Sequence, residues 1–401
     1  MKSLFSFLSI LIVSLCSVHQ AYGYTAEKVG NDSLKTIRIH SSDIIEEYNP
    51  TELIRNIEYT HLELTDDNFI GKVDKVLRLG DQLFILDRTM SNAVFCFDIE
   101  GKYLFKVGSY GRETGEYREI EDIVIDRKTG EIGILSRYKI LWHNVVDGVY
   151  NGNTTNFKKL SIERVSFLDA TTLIGYANNS CDGKKNCFNY YRLNKQGEIL
   201  SRHLPITKSE KNHSLVHDYP FSEGEIARGF THLFNDTIYS IDKQGQLYKK
   251  FHIDFGDMAL TDRSLLPRKE NGLTKWMATS GEKGLVAGLE FYSETDSVIV
   301  FNFLKGTDLL TTYYSKSSGK TITADQLTAE TIIGGFMVGV HENQFISSAS
   351  GDFLMVVQGA FESAENKEEI KEIFPKDIYD YIMSLEGTAN PTIVFLDIPG
   401  F

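Results

Sequence analysis

Gln82-Leu83-Phe84-Ile85-Leu86-Asp87, Ala93-Val94-Phe95-Cys96-Phe97-Asp98 and Lys102-Tyr103-Leu104-Phe105-Lys106-Val107-Gly108 are short apolar-rich runs separated by turn residues. Runs of this length, rich in Val, Ile, Phe and Tyr, read as strands. After Gly108, Gly111 and Gly115-Glu116-Tyr117 comes Asp122-Ile123-Val124-Ile125-Asp126. Lys128-Thr129-Gly130-Glu131 and Ile132-Gly133-Ile134-Leu135 follow, so the cycle restarts. Val76 to Leu135 therefore holds one unit and the start of the next. A period of about 45 residues carrying four strands predicts a β-propeller blade.

Working outward, blade one covers 69–108, blade two 117–157 and blade three 158–204. Blade four is signalled by Asn235 to Phe251, and blade five by Gly284 to Leu289 and Ser297 to Phe303. Blade six is signalled by Ile332 to Val340, Gln344 to Ser347 and Thr392 to Asp397. The expected fold is all-β, a six-bladed β-propeller occupying 24–401 as one domain. Leu34 to Ile39 and Ile57 to Leu64 alternate with period two and have no blade of their own upstream. At least one of these N-terminal strands is expected to close the last blade, removing a free sheet edge. Between strands of that blade, about 362–386 carries Ile370, Ile373, Phe374, Ile378, Tyr381, Ile382 and Leu385 at helical spacing. Pro375 and Gly387 predict two short helices joined at the proline, an insertion expected to cover the channel mouth.

Residues 1–23 read as a secretory signal peptide: Lys2, an apolar run from Leu4 to Val18, and Ala21-Tyr22-Gly23 as a cleavage site. Cys16 raises lipid anchoring, but Leu15 stands where such a signal needs a small residue. An exported protein of the periplasm or cell surface is expected, with no transmembrane segment in the mature chain. Against 42 Lys and Arg stand 55 Asp and Glu, a net charge of −13. That balance argues against nucleic acid, whose affinity comes from clustered cations. Cys181 and Cys187 bracket a turn, and an oxidising compartment makes them a disulfide candidate. Cys96 reads as a buried thiol.

The segment Asp98 to Gly108, with Gly111, Gly115-Glu116-Tyr117 and Ile123 to Asp126, resembles the NHL-type propeller repeat. The whole mature chain is similar to secreted six-bladed β-propeller proteins of anaerobic Gram-negative gut bacteria. The markers are Tyr59-Thr60-His61-Leu62-Glu63, Phe234 to Tyr239, Ile253-Asp254-Phe255-Gly256 and Asn390-Pro391-Thr392-Ile393, in that order. The resemblance implies the fold and no settled activity. Arg112-Glu113-Thr114 departs from the Gly-Pro step that many relatives carry.

Compact catalytic motifs do not emerge. Gly108, Gly111 and Gly115 lack a following Lys-Ser/Thr pair and read as a turn between blades, not a phosphate cradle. His213 and His217 have metal-like spacing but lie in a loop or strand, and no third ligand can be named, so no metal or other cofactor is expected. Asp66-Asp67, Asp126 to Glu131 and Asp242 to Gln246 lack the spaced ladder of a calcium loop. No Gly-x-Ser-x-Gly elbow is present, so no catalytic residue is assigned. Propeller geometry gathers the loops between second and third strands, and between successive blades, at one channel mouth. Arg88, Tyr110, Arg112, Tyr117, Arg137 and Tyr138 fall on these loops, and Arg with Tyr suits sugars, carboxylates or a peptide. Two functions stay open. The favoured one is a non-catalytic, monomeric binding or assembly module that takes a small ligand, glycan, peptide or protein partner at the mouth. The alternative is a propeller hydrolase or lyase acting on carbohydrate or peptide, with residues converging from several blades.

Overall fold

The computed structural model describes residues 34–401 except 159, 182–186, 208–209, 211–216, 223, 225, 233, 263–264, 267–281, 329–330 and 364–373. The signal peptide, Cys16 and His213 lie outside the described residues. Three strands, β1 (Lys35–Arg38), β2 (Ile44–Tyr48) and β3 (Asn56–His61), come first and belong to three different sheets. Blade one is β4 (Lys75–Leu79), β5 (Gln82–Asp87), β6 (Ala93–Asp98) and β7 (Tyr103–Lys106). Blade two is β8 (Asp122–Asp126), β9 (Glu131–Ser136), β10 (Lys139–Asn144) and β11 (Tyr150–Asn156). Blade three is β12 (Arg164–Phe167), β13 (Thr172–Tyr176), β14 (Phe188–Asn194) and β15 (Ile199–Pro205).

Blade four has β16 (Thr237–Ile241) and β17 (Leu247–Asp254), extended inward by bridges from Tyr239 to Phe230 and from Phe230 to Phe221. Blade five is β18 (Phe291–Glu294), β19 (Val298–Lys305), β20 (Asp308–Ser315) and β21 (Thr321–Leu327). Its inner strand starts later than expected, because Gly284 to Leu289 contributes only the bridges of Val286 to Ala259 and Lys305. Blade six is β22 (Met337–His341), β23 (Gln344–Ala349) and β24 (Thr392–Asp397), completed by β3.

The N-terminal strands form a belt. β1 lies parallel on β17 of blade four, β2 parallel on β21 of blade five, and β3 antiparallel on β24 of blade six. One segment thus covers three successive outer edges, and β3 makes the ring closure expected from its alternation.

Every inner strand is buried on both faces, which explains why blades read as nearly continuous apolar runs rather than clean alternation. In β5, Leu83 and Ile85 pack with Val338, Ile346 and Phe395 of blade six, while Phe84 and Leu86 pack with Ile123, Ile132 and Ile134 of blade two. The same division recurs at each seam, so the core of the described residues is six inter-blade layers, with a small further cluster at Phe234, Leu260 and Leu266, and not one centre. Trp142, buried between blades two and three, donates from Nε1 to Thr155 Oγ1 at 2.9 Å and carries Lys195 Nζ 4.1 Å from its ring centroid.

Two helices, α1 (Gly351–Ser363) and α2 (Lys376–Met383), lie between β23 and β24. α2 starts after Pro375 as the sequence predicts, but α1 begins eleven residues before the expected insertion. Its Gly351-Asp352-Phe353-Leu354-Met355-Val356-Val357 run has the composition of a strand, and burial of Leu354, Gln358 and Phe361 on one face decides for helix. The contacts of the pair run outward: Tyr381 stacks on His61 of β3 at 3.4 Å, and Leu354, Phe361, Ile378 and Ile382 join the layer between blades five and six. The expected cover over the channel is therefore replaced by a buttress on the last blade's seam.

Candidate binding site at the channel mouth

Four inner strands are entered through one pattern: Val73-Asp74-Lys75-Val76, Ile120-Glu121-Asp122-Ile123, Ile162-Glu163-Arg164-Val165 and Leu289-Glu290-Phe291-Tyr292. The acidic residue's amide donates to the neighbouring strand in the same register each time. Asp74 reaches Leu86 O at 2.8 Å, Glu121 Leu135 O at 2.8 Å, Glu163 Tyr176 O at 2.8 Å and Glu290 Asn302 O at 2.9 Å. Equivalent positions around a propeller fall at one end of its channel, so this end is rich in acid groups.

Cations from other blades compensate them. Arg88, on the β5–β6 loop, crosses from blade one to blade four, and its Nη2 lies 3.0 Å from Asp218 Oδ1 and 3.9 Å from Asp74 Oδ1. Arg164 of blade three donates to the same Asp218 oxygen, and also to Asp218 O at 2.9 Å and Glu121 O at 3.1 Å. Beneath them, Lys75 Nζ binds Asp122 Oδ1 at 3.0 Å while Asp122 Oδ2 accepts the Val165 amide at 2.8 Å, joining blades one, two and three. Burial disfavours charge on Asp218, but Arg164 and Arg88 outweigh it and hold the carboxyl below its usual range. Burial likewise opposes the Arg88 charge, and Asp218 and Asp74 raise its pKa nonetheless. Glu121 and Glu163 are pushed up by burial, Glu163 accepting from Asn178 Nδ2 at 2.8 Å. The cavity that these residues line is only about 20 Å³, room for about one water.

Blades four to six supply a different wall. Tyr219, beside Asp218, lies 4.7 Å from Phe291, and Phe291 stacks on Phe336 at 4.0 Å with the planes 5° apart. Phe336 is 39 % exposed. Burial pushes the Tyr219 hydroxyl up to about 12, so it stays a neutral donor. The mouth is thus divided into a charge-compensated half and an aromatic half that meet at Asp218-Tyr219.

Of the residues expected here, Arg88 joins this network. Tyr110 is exposed and bridged to Tyr117, Arg112 is exposed, Arg137 pairs with Glu119, and the Tyr138 carbonyl accepts the Phe157 amide at 2.8 Å. The contacts of Tyr110, Arg137 and Tyr138 stay within their own blade or its hinge. Tyr117 is fully buried, in the layer between blades one and two. Asp74, Glu121, Asp122, Glu163, Arg164, Asp218, Tyr219, Phe291 and Phe336 escape a motif search, because each comes singly from its blade. The recurrent apolar-acidic step before each inner strand is the signal that locates them.

The remaining motifs have structural roles. The Gly108 amide donates to Gly148 O at 2.9 Å with φ at +62°, and a Cβ there would lie 2.6 Å from His143 Nε2. His217 is buried with Nε2 2.6 Å from Thr231 Oγ1. Asp126 and Glu131 bind Lys195 and not an ion loop. Among the described residues no three His, Cys, Asp or Glu are grouped to hold a metal ion, and no helix is long and apolar enough to cross a membrane. Cys181 and Cys187 are bonded, their Cα atoms 5.6 Å apart. Cys187→Ser is expected to cost about 2 kcal/mol, as loop-closure entropy predicts for so short a loop; an unchanged denaturation midpoint would show that the bond contributes nothing.

A family model described as a domain of unknown function (DUF4934) matches residues 34–397. No curated protein matches the chain. Among solved structures, a Bacteroides fragilis protein described as exported is similar, with TM-score 0.70 and 15 % identity over 91 % of this chain and 99 % of its own. A DUF4221 protein of Bacteroides vulgatus gives TM-score 0.49 and 9 % identity over 86 % of this chain and 96 % of its own.

Proposed function

We propose, from the premise that the chain belongs to the DUF4934 family, that it is an exported binding module whose ligand is recognised at the divided channel mouth. The single domain over 24–401, the leader at 1–23, the NHL-like character of the Gly108 to Tyr117 hinge and a periplasmic or cell-surface address belong to this reading. Its support is a leader-like N-terminus and similarity to a protein itself described as exported.

The observation that carries the binding role is the partly exposed Tyr219, Phe291 and Phe336 stack beside the partly exposed Arg88 and Asp218. Aromatic faces next to oriented polar groups are the usual elements of small-ligand recognition. Four acid groups of the mouth are committed to other side chains, which favours binding over catalysis, while Glu290 has no ion pair among the described residues. Asp74 and Asp218 are engaged with lysine or arginine, Asp122 with Lys75, and Glu163 with Asn178. The test is a thermal-shift panel of oligosaccharides, peptides and metal ions on the purified protein. A ligand that prefers the folded state raises the unfolding temperature. At least one member is expected to do so in the native protein and not in Arg88→Met with Phe336→Ala. A shift retained in that double variant would place recognition elsewhere.

A further inference from the structure

The channel narrows below the mouth and widens again at its far end. Lys75 lines both the cavity of about 20 Å³ at the mouth and a second of about 10 Å³ further in. Ile125, Arg127 and Phe167 line that second cavity and also a third, of about 160 Å³. β8 and β12 enter at the mouth with Asp122 and Arg164 and leave at the third cavity, which shares no lining residue with the mouth. Cavities of about 10 and 20 Å³ pass nothing larger than water, so the far cavity is a site of its own. Its floor is apolar, with Ile125 and Phe167 buried and Ala170 and Ile226 exposed beside them. An apolar cavity of about 150 Å³ holds one benzene ring, so this one has room for the side chain of a leucine or a phenylalanine.

The walls of the same cavity carry charge of both signs. Arg127 Nη2 donates to Arg78 O at 2.7 Å, which fixes the guanidinium without neutralising it. Lys128 follows it and is exposed. Asp126 is already committed: Oδ2 binds Lys195 Nζ at 2.6 Å, and Oδ1 accepts the Lys128 and Thr129 amides at 3.0 and 3.2 Å. Lys195 also binds Glu131, so that trio keeps one negative charge. Asp169 shapes its own hairpin through Oδ1, which accepts the Thr171 and Thr172 amides at 2.9 Å each, and leaves Oδ2 as an acceptor. Arg127 and Lys128 therefore stand against Asp169 and that residual charge, and the walls balance. An apolar anion would gain the two cations but lie against Asp169. An apolar amine would gain Asp169 but lie against the cations. Only a ligand carrying both signs is complementary throughout. An apolar group of one side chain's size joined to adjacent opposite charges is an α-amino acid. We propose that the far end of the channel binds a free apolar α-amino acid, with its side chain on Ile125, Phe167 and Ile226, its carboxylate on Arg127 and Lys128 and its ammonium group on Asp169.

The experiment is calorimetric titration of the purified protein with L-phenylalanine, L-leucine, glycine, N-acetyl-L-phenylalanine and L-phenylalaninamide. L-phenylalanine or L-leucine is expected to bind, and glycine, which has no side chain for the floor, is not. The acetyl and amide forms each lack one charge and should bind at least about tenfold more weakly, the worth of one charged hydrogen bond. Asp169→Asn keeps the turn's Oδ1 acceptor. It should weaken L-phenylalanine to the level of the acetyl form and leave the acetyl form itself nearly unchanged. Arg127→Met should act in the same way with respect to the amide. Ala170→Trp, at an exposed turn position, should fill the cavity and abolish binding. Circular dichroism of each variant separates loss of binding from loss of fold. Equal affinity for L-phenylalanine and its acetyl or amide form would overturn the zwitterion assignment. Binding retained in a folded Ala170→Trp would overturn the site, and failure of both amino acids to bind the native protein would overturn the proposal whole.

Discussion

Glu294→Ala is expected to destabilise the protein by about 3–5 kcal/mol, the usual cost of removing one member of a buried ion cluster. Glu294 ends the inner strand of blade five with a side chain 1 % exposed. Lys250 Nζ, from blade four, donates to its two carboxylate oxygens at 2.7 and 2.8 Å, and Lys316 Nζ and the Tyr292 hydroxyl donate as well. Its amide donates to Ser222 Oγ at 2.7 Å, so the residue fastens the innermost strand of blade four to blade five. Burial alone would raise the carboxyl, but Lys250 and Lys316 hold it below its ordinary range. Alanine leaves two ammonium groups and a hydroxyl facing one another without their acceptor. Glu294→Gln should cost less, because an acceptor oxygen remains although the charge is gone. The triple variant Glu294→Leu, Lys250→Met, Lys316→Met should recover most of the loss, since apolar replacement of a whole buried cluster is often neutral. Denaturant midpoints at unchanged slope provide the measure. Equal midpoints for Glu294→Ala and the triple variant would show that lost packing, and not stranded charge, sets the cost.

This cluster illustrates what the chain discloses to a reader and what it hides. Strands such as Gln82 to Asp87 and Thr392 to Asp397 are legible because local periodicity and turn residues determine them. The closing role of Ile57 to Leu64 is legible too, since an alternating strand without a hairpin partner must find a sheet edge. β2 is missed because Ile44-Ile45-Glu46-Glu47-Tyr48 is mostly exposed and shows no buried face. Lys250 and Glu294 lie 44 residues apart and meet only because their blades adjoin in the ring, while Lys316, 22 residues on, is brought to Glu294 by strand pairing within its own blade. The mouth is hidden for the same reason. Arg88 is recognisable from its loop, whereas its partner Asp218 lies 130 residues on, in a segment with no strand pattern of its own. Tyr110, Arg112, Arg137 and Tyr138 share that loop geometry, but loop position alone does not say which side chains turn toward the axis.

Stability should also depend on pH through the buried His217 and the partly buried Glu290, which act with opposite sign. Burial lowers His217 from 6.5 to about 3, with His232 adding to the fall, Asp218 opposing it and Arg164 reinforcing it. Between those values the unfolded chain takes up a proton that the folded chain refuses, so this contribution is full above 6.5 and is lost as pH drops toward 3. Burial raises Glu290 from 4.5 to about 7, and among the described residues no ion pair offsets it. Here the folded chain keeps a proton that the unfolded chain releases, so this contribution is full below 4.5 and is lost as pH rises through 7. From 4.5 to 6.5 the two slopes cancel, giving a plateau of unfolding temperature. Below it His217 acts together with Glu294 and with Glu210, whose carboxyl His232 and Thr207 hold down at about 2 against burial. Glu290→Gln removes one side of this balance. It should raise stability at pH 8 by up to about 3 kcal/mol, the equivalent of the pKa displacement. It should also turn the plateau into a steady fall from 6.5 downward. His217→Gln, which can still hydrogen-bond Thr231, should do the reverse and leave stability declining from 4.5 upward. Unfolding temperatures of the three proteins from pH 4 to 8 decide the matter. If Glu290→Gln is no more stable than the native chain at pH 8, the Glu290 carboxyl is solvated or paired at neutral pH, and the proposed balance does not exist.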